Sequence, residues 1–374
     1  MQGPTPETPK KGVDGWGRWA IPWILGVMTL VLVVRAYGQI GENPARGQAV
    51  FSNACAFCHG ADGKGNGPIA ATLAVKPANF TDCRITAEDS VEVAEGTIRE
   101  GGPYQGLSNK MPSFKFVLTE EEIADVASYI KTFCNNPDWV PGELNLPRPL
   151  MTDKAYPEQE AIFGARFGRG QENATELFGD VEYRLNGLTS VELGFNYTDI
   201  HPEGGQSESG LGDTDIAINR VVAFSRTDLW LASVGLELSL PTGSKSRGLG
   251  TGEVVWEPFV RAGWDWHQVV IQGNVILEFP QKTADVNSLI AYDVAVGRYF
   301  QPDPRLQITP MVEFNSETSL VGSAMGDTKS AILPQLRVNW LRWSAGVGVQ
   351  VPITGLRDFD VRPMFDVTYE YSMF

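Results

Sequence analysis

The stretch His267-Gln268-Val269-Val270-Ile271-Gln272-Gly273-Asn274-Val275-Ile276-Leu277-Glu278-Phe279 alternates in character along its length. His267, Val269, Ile271, Gly273, Val275, Leu277 and Phe279 share one face, against Gln268, Gln272, Asn274 and Glu278 on the other. A period of two marks a strand whose faces meet different surroundings. The same alternation carries Val191, Leu193, Phe195 and Tyr197, then Trp230, Ala232, Val234, Leu236, Leu238 and Leu240. It returns over 306–314, 343–351 and 365–373. From about residue 160 to the end, the pattern predicts about twelve strands of roughly 8–14 residues.

The connections decide what these strands build. Asn186-Gly187, 225–228, Asp265, 301–304 and Leu341-Arg342 read as short turns. They alternate with longer polar links at 199–212, 241–252, 280–288 and 315–328. Short turns at one end and long loops at the other are the pattern of a bacterial outer-membrane barrel. Trp230, Trp264, Trp266, Trp340 and Trp343 flank the short turns, as an aromatic girdle would. A soluble β-sandwich explains the alternation but not the loop asymmetry or the Trp placement. Two features fit less well: Arg220 falls on the apolar face of its strand, and the terminal Phe374 is out of phase with Tyr369, Tyr371 and Met373. Glu192, Glu253, Glu257, Arg261, Glu278, Glu313 and Glu370 are expected in the lumen, where polar residues are normal and do not by themselves make a transport site.

Working toward the N-terminus, 137–158 holds five Pro and no periodicity, so it reads as an extended linker. Residues 39–136 read as a small helical domain. A helix is expected over 45–54, a second from Thr86 to about Glu100, and a third opened by Thr119-Glu120-Glu121-Glu122, a capping box. Ile123, Val126, Ala127 and Ile130 follow at helical spacing. Ahead of this domain, 21–34 is an almost wholly apolar run preceded by Lys10, Lys11 and Arg18, and Ala36-Tyr37-Gly38 resembles a cleavage site. Residues 1–38 are therefore expected to be a signal peptide or a short membrane anchor, with the remainder exported.

Composition narrows the function. With 30 Lys and Arg against 45 Asp and Glu, the net charge is −15, which argues against nucleic acid as a partner. Four Cys are too few for a disulfide scaffold, so each is read by its context. Cys55-Ala56-Phe57-Cys58-His59 is C-x-x-C-H, the spacing for covalent haem attachment: two thiols bond the vinyl groups and the next residue reaches iron. A redox or zinc C-x-x-C is the competing reading, weakened by the adjacent His and the lack of a second Cys pair. His201 and His267, the other two His, have no metal-binding company, and no second C-x-x-C-H exists for another haem. His267, beside Trp266, is expected in the girdle. Nothing reads as nucleophile–base catalysis or a phosphate loop.

Around this motif the chain resembles class I c-type cytochromes. The resembling residues are Gly47-Gln48-Ala49-Val50-Phe51, Cys55 to Gly60, Asp62-Gly63-Lys64-Gly65, Pro77-Ala78-Asn79-Phe80, Met111-Pro112-Ser113-Phe114 and Leu118-Thr119-Glu120-Glu121-Glu122. The resemblance implies one haem c held by Cys55 and Cys58, with His59 and Met111 as axial iron ligands. Cys83 and Cys134 remain, either free or joined in a disulfide that would staple the haem-covering loop. Further on, Gly210-Leu211-Gly212-Asp213-Thr214-Asp215-Ile216, Leu240-Pro241-Thr242-Gly243 and 187–194 resemble the meta-pathway phenol-degradation type of outer-membrane transporter-like barrel. That resemblance implies the barrel of 159–374 and admits small organic permeants.

A monohaem cytochrome fused to an outer-membrane barrel allows three readings. The cytochrome exchanges electrons with periplasmic redox proteins at the outer membrane; or it gates or senses for a transporter; or the barrel only anchors an electron carrier among the membrane lipids. The expected class is an electron-transfer protein rather than an enzyme. A domain of this size should not fit inside a twelve-stranded lumen.

Overall fold

The computed structural model describes residues 43–371 apart from 88, 135, 171, 203, 204, 282–287, 304, 322 and 323. The expected signal or anchor over 1–38 and the terminal Phe374 lie outside the described residues.

The helical domain begins with Pro44–Val50, which passes through a π-turn, Phe51–Cys55, into Ala56–His59. Asn43 Oδ1 caps its start by accepting from the amides of Ala45 and Arg46 at 3.1 and 3.2 Å. The Thr119 capping box forms as the sequence suggests: its hydroxyl accepts from Glu122 N at 3.2 Å, and its amide donates to Glu122 Oε2 at 2.9 Å. Helix Glu120–Lys131 lays Ile123, Val126 and Ala127, all 0 % exposed, against Phe51 and Ile98. The first and last helices cross at Gly47, where a Cβ would come within 2.1 Å of the Asp125 carbonyl oxygen. The second predicted helix is divided. Cys83–Thr86 is a single turn that Thr86 ends rather than begins, and Val91–Glu100 starts separately, capped by Ser90.

The strands are β1 Glu160–Gly168, β2 Glu172–Asn186, β3 Thr189–Pro202, β4 Glu208–Ser225, β5 Trp230–Leu240, β6 Val255–Trp266 and β7 Val269–Pro280. They continue with β8 Leu289–Arg298, β9 Phe300–Asp303, β10 Leu306–Ser319, β11 Thr328–Trp340, β12 Trp343–Pro352 and β13 Arg362–Glu370. Each pairs antiparallel with its neighbours, and β1 pairs with β13 from Glu160↔Glu370 onward, so the sheet closes on itself. The four-residue β9 only flanks β10, which leaves a barrel of twelve strands. Closure removes the unpaired edges that an open sheet would carry. Trp230, Val234, Val260 and Trp264 point outward and are exposed, while Ser233 and Arg261 point inward and are buried.

The turns correct some of the predicted boundaries. Asp265 belongs to β6, and the turn is His267-Gln268, with φ of 52° and 70°. Both residues are left-handed, as a two-residue hairpin whose twist matches the strands requires. His267 is therefore a turn residue, not the first residue of the strand. β4 runs for 18 residues, longer than expected, and takes up part of the predicted loop 199–212. Arg220 does face outward, close to the short-turn end, and donates to Thr189 Oγ1 at 2.8 Å.

The largest departure concerns 137–158. Most of this Pro-rich stretch is not an exposed linker but lies within the barrel. Leu144, Leu150, Thr152, Ala155, Tyr156 and Glu158 are all buried. Gln272 on β7 donates to Pro147 O at 2.8 Å, Asn219 on β4 to Ala155 O at 3.3 Å, and Arg184 on β2 to Pro157 O at 2.8 Å. Proline explains both the missing periodicity and this route. Each proline removes one amide that a strand would pair, and the wall meets the rest of the segment, donating to its carbonyls and accepting its amides on Glu313 and Glu182. The helical domain stays outside, at the short-turn end. There Arg226 donates to Trp139 O at 3.0 Å, and Arg305 lies over the Tyr104 ring at 5.4 Å.

Candidate haem site

Cys55, Cys58 and His59 lie on one continuous helical stretch, the two thiols three residues apart and so on neighbouring parts of its surface. Both thiols are free and half-buried. Burial, with Cys58 adding to it, pushes the Cys55 thiol up to about 12, so it is neutral at ordinary pH.

His59 is fixed by its second nitrogen. Nδ1 lies 3.2 Å from the Ala78 carbonyl oxygen. A carbonyl only accepts, so Nδ1 carries the proton and Nε2 keeps its lone pair free to ligate. Burial lowers the His59 pKa, opposed by that hydrogen bond, and the ring is held neutral. Phe80 stacks on it, with centroids 4.5 Å apart and 17° between the planes. The loop supplying Ala78 and Phe80 closes through Phe80 N to Gly63 O at 2.7 Å. Gly65 is required there: its φ is +69°, and a Cβ would lie 2.3 Å from Pro77 O.

Met111 is presented by a segment strapped to the end of helix Val91–Glu100. Gly102 N donates to Met111 O at 3.0 Å, Phe114 N to Ile98 O at 3.1 Å and Ser113 Oγ to Arg99 O at 2.6 Å. Met111 and Cys55 both pack on the cluster formed by Phe51, Ile98, Ile123 and Val126. The donor set suits a covalently attached haem: two free thiols, an imidazole with Nε2 available, and a thioether on the same apolar cluster. The Ala78 carbonyl escaped sequence reasoning because a backbone oxygen leaves no residue-type signal.

Cys83 and Cys134 form a disulfide with Cα atoms 5.3 Å apart. It ties the single turn at Cys83–Thr86 to the end of the last helix. His201 and His267 are exposed, and His201 bonds only locally, to Ser207 and Asp199. Among the described residues, no group of three or more His, Cys, Asp or Glu could hold a metal ion.

The residues expected in the lumen divide by role. Glu192 and Asp153 flank Arg261 at 2.8 and 3.0 Å, and Glu313 receives the luminal segment. Glu257 and Glu278 face inward and remain partly exposed. Glu370 lines the cleft at the short-turn mouth, and Glu253 is buried in the link before β6 rather than in a strand. The Gly210–Ile216 and Leu240–Gly243 motifs meet through Asp213, which accepts from Gly243 N at 2.9 Å and Thr251 N at 2.7 Å. That is a loop anchor, not a binding site.

Residues 44–133 match the family model for cytochrome c. No curated protein matches the chain. Among solved structures, a KdgM porin in complex with disordered oligogalacturonate is similar at 12 % identity and a TM-score of 0.39, over 57 % of this chain and 99 % of that one. An outer membrane channel from Pseudomonas putida F1 is similar at 9 % identity and a TM-score of 0.46, over 60 % of this chain and all of that one. A chain of a Kuenenia stuttgartiensis reducing HAO-like protein complex shares 26 % identity at a TM-score of 0.23, over 30 % of this chain and 53 % of that one. At these scores the barrel assignment rests on its own strand pairing and closure. The chain is a cytochrome c domain followed by a closed twelve-stranded antiparallel barrel of porin-like, outer-membrane type.

Proposed function

We propose that the protein is a membrane-anchored electron carrier: a monohaem c-type cytochrome domain in the periplasm, held at the outer membrane by its barrel and exchanging single electrons with periplasmic redox proteins. One observation carries this reading. His59 Nδ1 is committed to Ala78 O, so Nε2 is left for iron, beside two free thiols on the same helix.

Haem, when bound, supplies a one-electron iron couple. Cys55 and Cys58 would hold it through thioethers, and His59 Nε2 and Met111 Sδ would donate to its iron. The chain's own residues do the rest. Ala78 fixes the imidazole tautomer, Phe80 fixes the ring plane, and Gly102 holds the Met111 backbone. Thioether ligation favours ferrous iron and so a higher potential. Phe57, between the two thiols, is 59 % exposed, so a soluble partner can approach the chain beside them.

The outward apolar wall supports lipid as the barrel's surroundings, and the barrel motifs support kinship with the meta-pathway transporter-like barrels. Conduction of electrons across the membrane is not part of this reading, since one haem outside the barrel leaves the thickness of the membrane unbridged.

The test is the protein reconstituted in one orientation, with denatured samples assayed for covalent haem. One haem per chain, reducible from the short-turn side only, is expected. Absence of covalent haem, or two haems per chain, would refute the proposal. Reduction by an impermeant donor from the long-loop side would refute the anchored-carrier reading and favour a transmembrane conduit.

A further inference from the structure

The luminal course of 145–158 is longer than a connection needs. The helical domain and Glu160, the first residue of β1, are both at the short-turn end, so a few residues would join them. Instead the chain enters the lumen and returns. It meets Gln272 on β7, Glu313 on β10 and Arg261 on β6, then Asn219 on β4 and Arg184 on β2.

Three successive residues of the segment are seated on a single carboxylate. Leu150 N donates to Glu313 Oε1 at 2.7 Å, Met151 N reaches both oxygens at 3.2 Å, and Thr152 donates to Oε2 from its amide and its hydroxyl, each at 2.7 Å. Three successive backbone amides around one anion make a nest, a geometry that holds both parties in register. The charges on the segment are matched as well: Asp153 meets Arg261, Arg148 meets Glu160, and Lys154 meets Glu158. Arg261, Glu160, Lys154 and Glu158 are buried, and charges removed from water are tolerated only when paired.

The inward wall here is largely covered, while the Asp153 carboxylate keeps part of its surface exposed. Ser190, Asn219, Ser233, Glu313 and Arg337, on five different strands, are each 0 % exposed, and Arg261 on a sixth is 2 % exposed. The β12 wall is closed by Leu150, which lies so near Gly346 and Gly348 that a Cβ on either would approach it to 3.0 or 2.8 Å. Toward the long loops, Asp215, Glu237, Glu257 and Asp293 keep partial exposure, so the inward side chains there are less covered.

We propose that residues 145–158 are a plug that shuts the barrel to ions and small hydrophilic solutes, with Glu313 as its seat. The helical domain clamps the plug's root, through Gly142 N to Ala87 O at 2.5 Å and Val91 N to Glu143 Oε1 at 3.0 Å. The barrel is then an anchor with a closed lumen, and loss of the seat converts it to an open pore. This inference does not rest on the haem reading.

The test is conductance of the full-length protein in planar bilayers in potassium chloride. The wild type should show no discrete steps. Glu313→Ala, which orphans the three amides, should show them, and Glu313→Gln, which keeps one acceptor oxygen, should open less often. Wild-type steps as large and as frequent as those of Glu313→Ala would overturn the proposal, whatever the variants do. A Glu313→Ala barrel that keeps its heat-modifiable gel mobility yet stays closed would also overturn it. Should that variant fail to fold, hydrogen exchange of the wild-type protein decides. Amides of 150–152 protected like those of β10 support the plug, and amides exchanging freely overturn it.

Discussion

Glu143, at the root of the luminal segment, accepts the amide of Val91, the first residue of helix Val91–Glu100, at 3.0 Å. A carboxylate at a helix N-terminus satisfies a free amide and complements the helix dipole. Lys131 reaches the same carboxylate at 3.4 Å and also donates to Thr86 O at 2.8 Å. Two helices of the cytochrome domain thus meet the barrel segment at one side chain. Glu143→Ala should loosen this joint by about 1–2 kcal/mol, the worth of a helix cap with a charge-assisted bond. Hydrogen exchange at the Val91 amide should accelerate while β-strand amides stay protected. An unchanged Val91 rate would show that the joint is held elsewhere.

Met111→Ala should remove the thioether and lower the reduction potential, because sulfur ligation favours the reduced iron. The sulfur–iron charge-transfer band should vanish with it. Met111 shares its apolar cluster with Cys55, and its backbone is held by Gly102, so the substitution should leave the local fold in place. A variant that keeps both the band and the potential would exclude Met111 as the ligand.

The two ends of the chain were unequally legible. The residues proposed to bind haem stand out because C-x-x-C-H and Met-Pro-x-Phe are local patterns of side chains. The barrel was legible because an apolar outer face and a polar inner face give a period of two. The luminal segment was not. Pro141, Pro147, Pro149 and Pro157 erase periodicity, and the partners that hold the segment lie far away in sequence, Glu313 being 163 residues from Leu150. The sequence places Glu313 in the lumen, but an inward acid on a barrel strand has no feature that distinguishes a seat from a solvated wall. The turn at His267-Gln268 carries no sequence signal for a related reason. Left-handed φ at both positions favours Asn or Gly, and neither residue is present.

Cys83 and Cys134 should resist alkylation until reduced, since their sulfurs are bonded. Replacing both by Ala should destabilise the cytochrome domain by about 2–4 kcal/mol, as expected when an unfolded-state constraint is removed. Thermal unfolding of the haem-loaded protein, followed at the haem, measures this. Free labelling of the native protein would exclude the bond.

Acid should weaken the helix crossing at Asp125. Burial pushes this carboxyl up, but the hydrogen bonds from Arg46 and from the Asn43 amide, the latter at 2.6 Å, outweigh it and hold the pKa below the usual carboxylate range. A pKa depressed in the folded state adds stability above the unfolded value of about 4, and that stability is lost as pH falls through the folded value. Asp125→Asn should therefore be less stable than wild type at pH 7, and the gap should narrow below pH 4. A gap that does not change with pH would show that the contribution is packing rather than charge.

The cytochrome domain sits at the short-turn end, where Arg226 and Arg305 of the turns contact Trp139 and Tyr104. In barrels of this kind short turns are periplasmic and long loops external. Delivery gives an independent reason for the same orientation. A haem domain folded in the periplasm would have to expose Phe51, Ile123 and Val126, each no more than 1 % exposed, to be threaded outward through the lumen. The luminal segment already fills that path. Ser207 and Asp62 are both exposed, on the long-loop side and on the cytochrome domain. With the native cysteines bonded to haem or to each other, a single Cys placed at Ser207 should label with an impermeant reagent on intact cells, and one at Asp62 should label only after the outer membrane is breached. Labelling at Asp62 with none at Ser207 would invert the orientation and place the cytochrome on the cell surface.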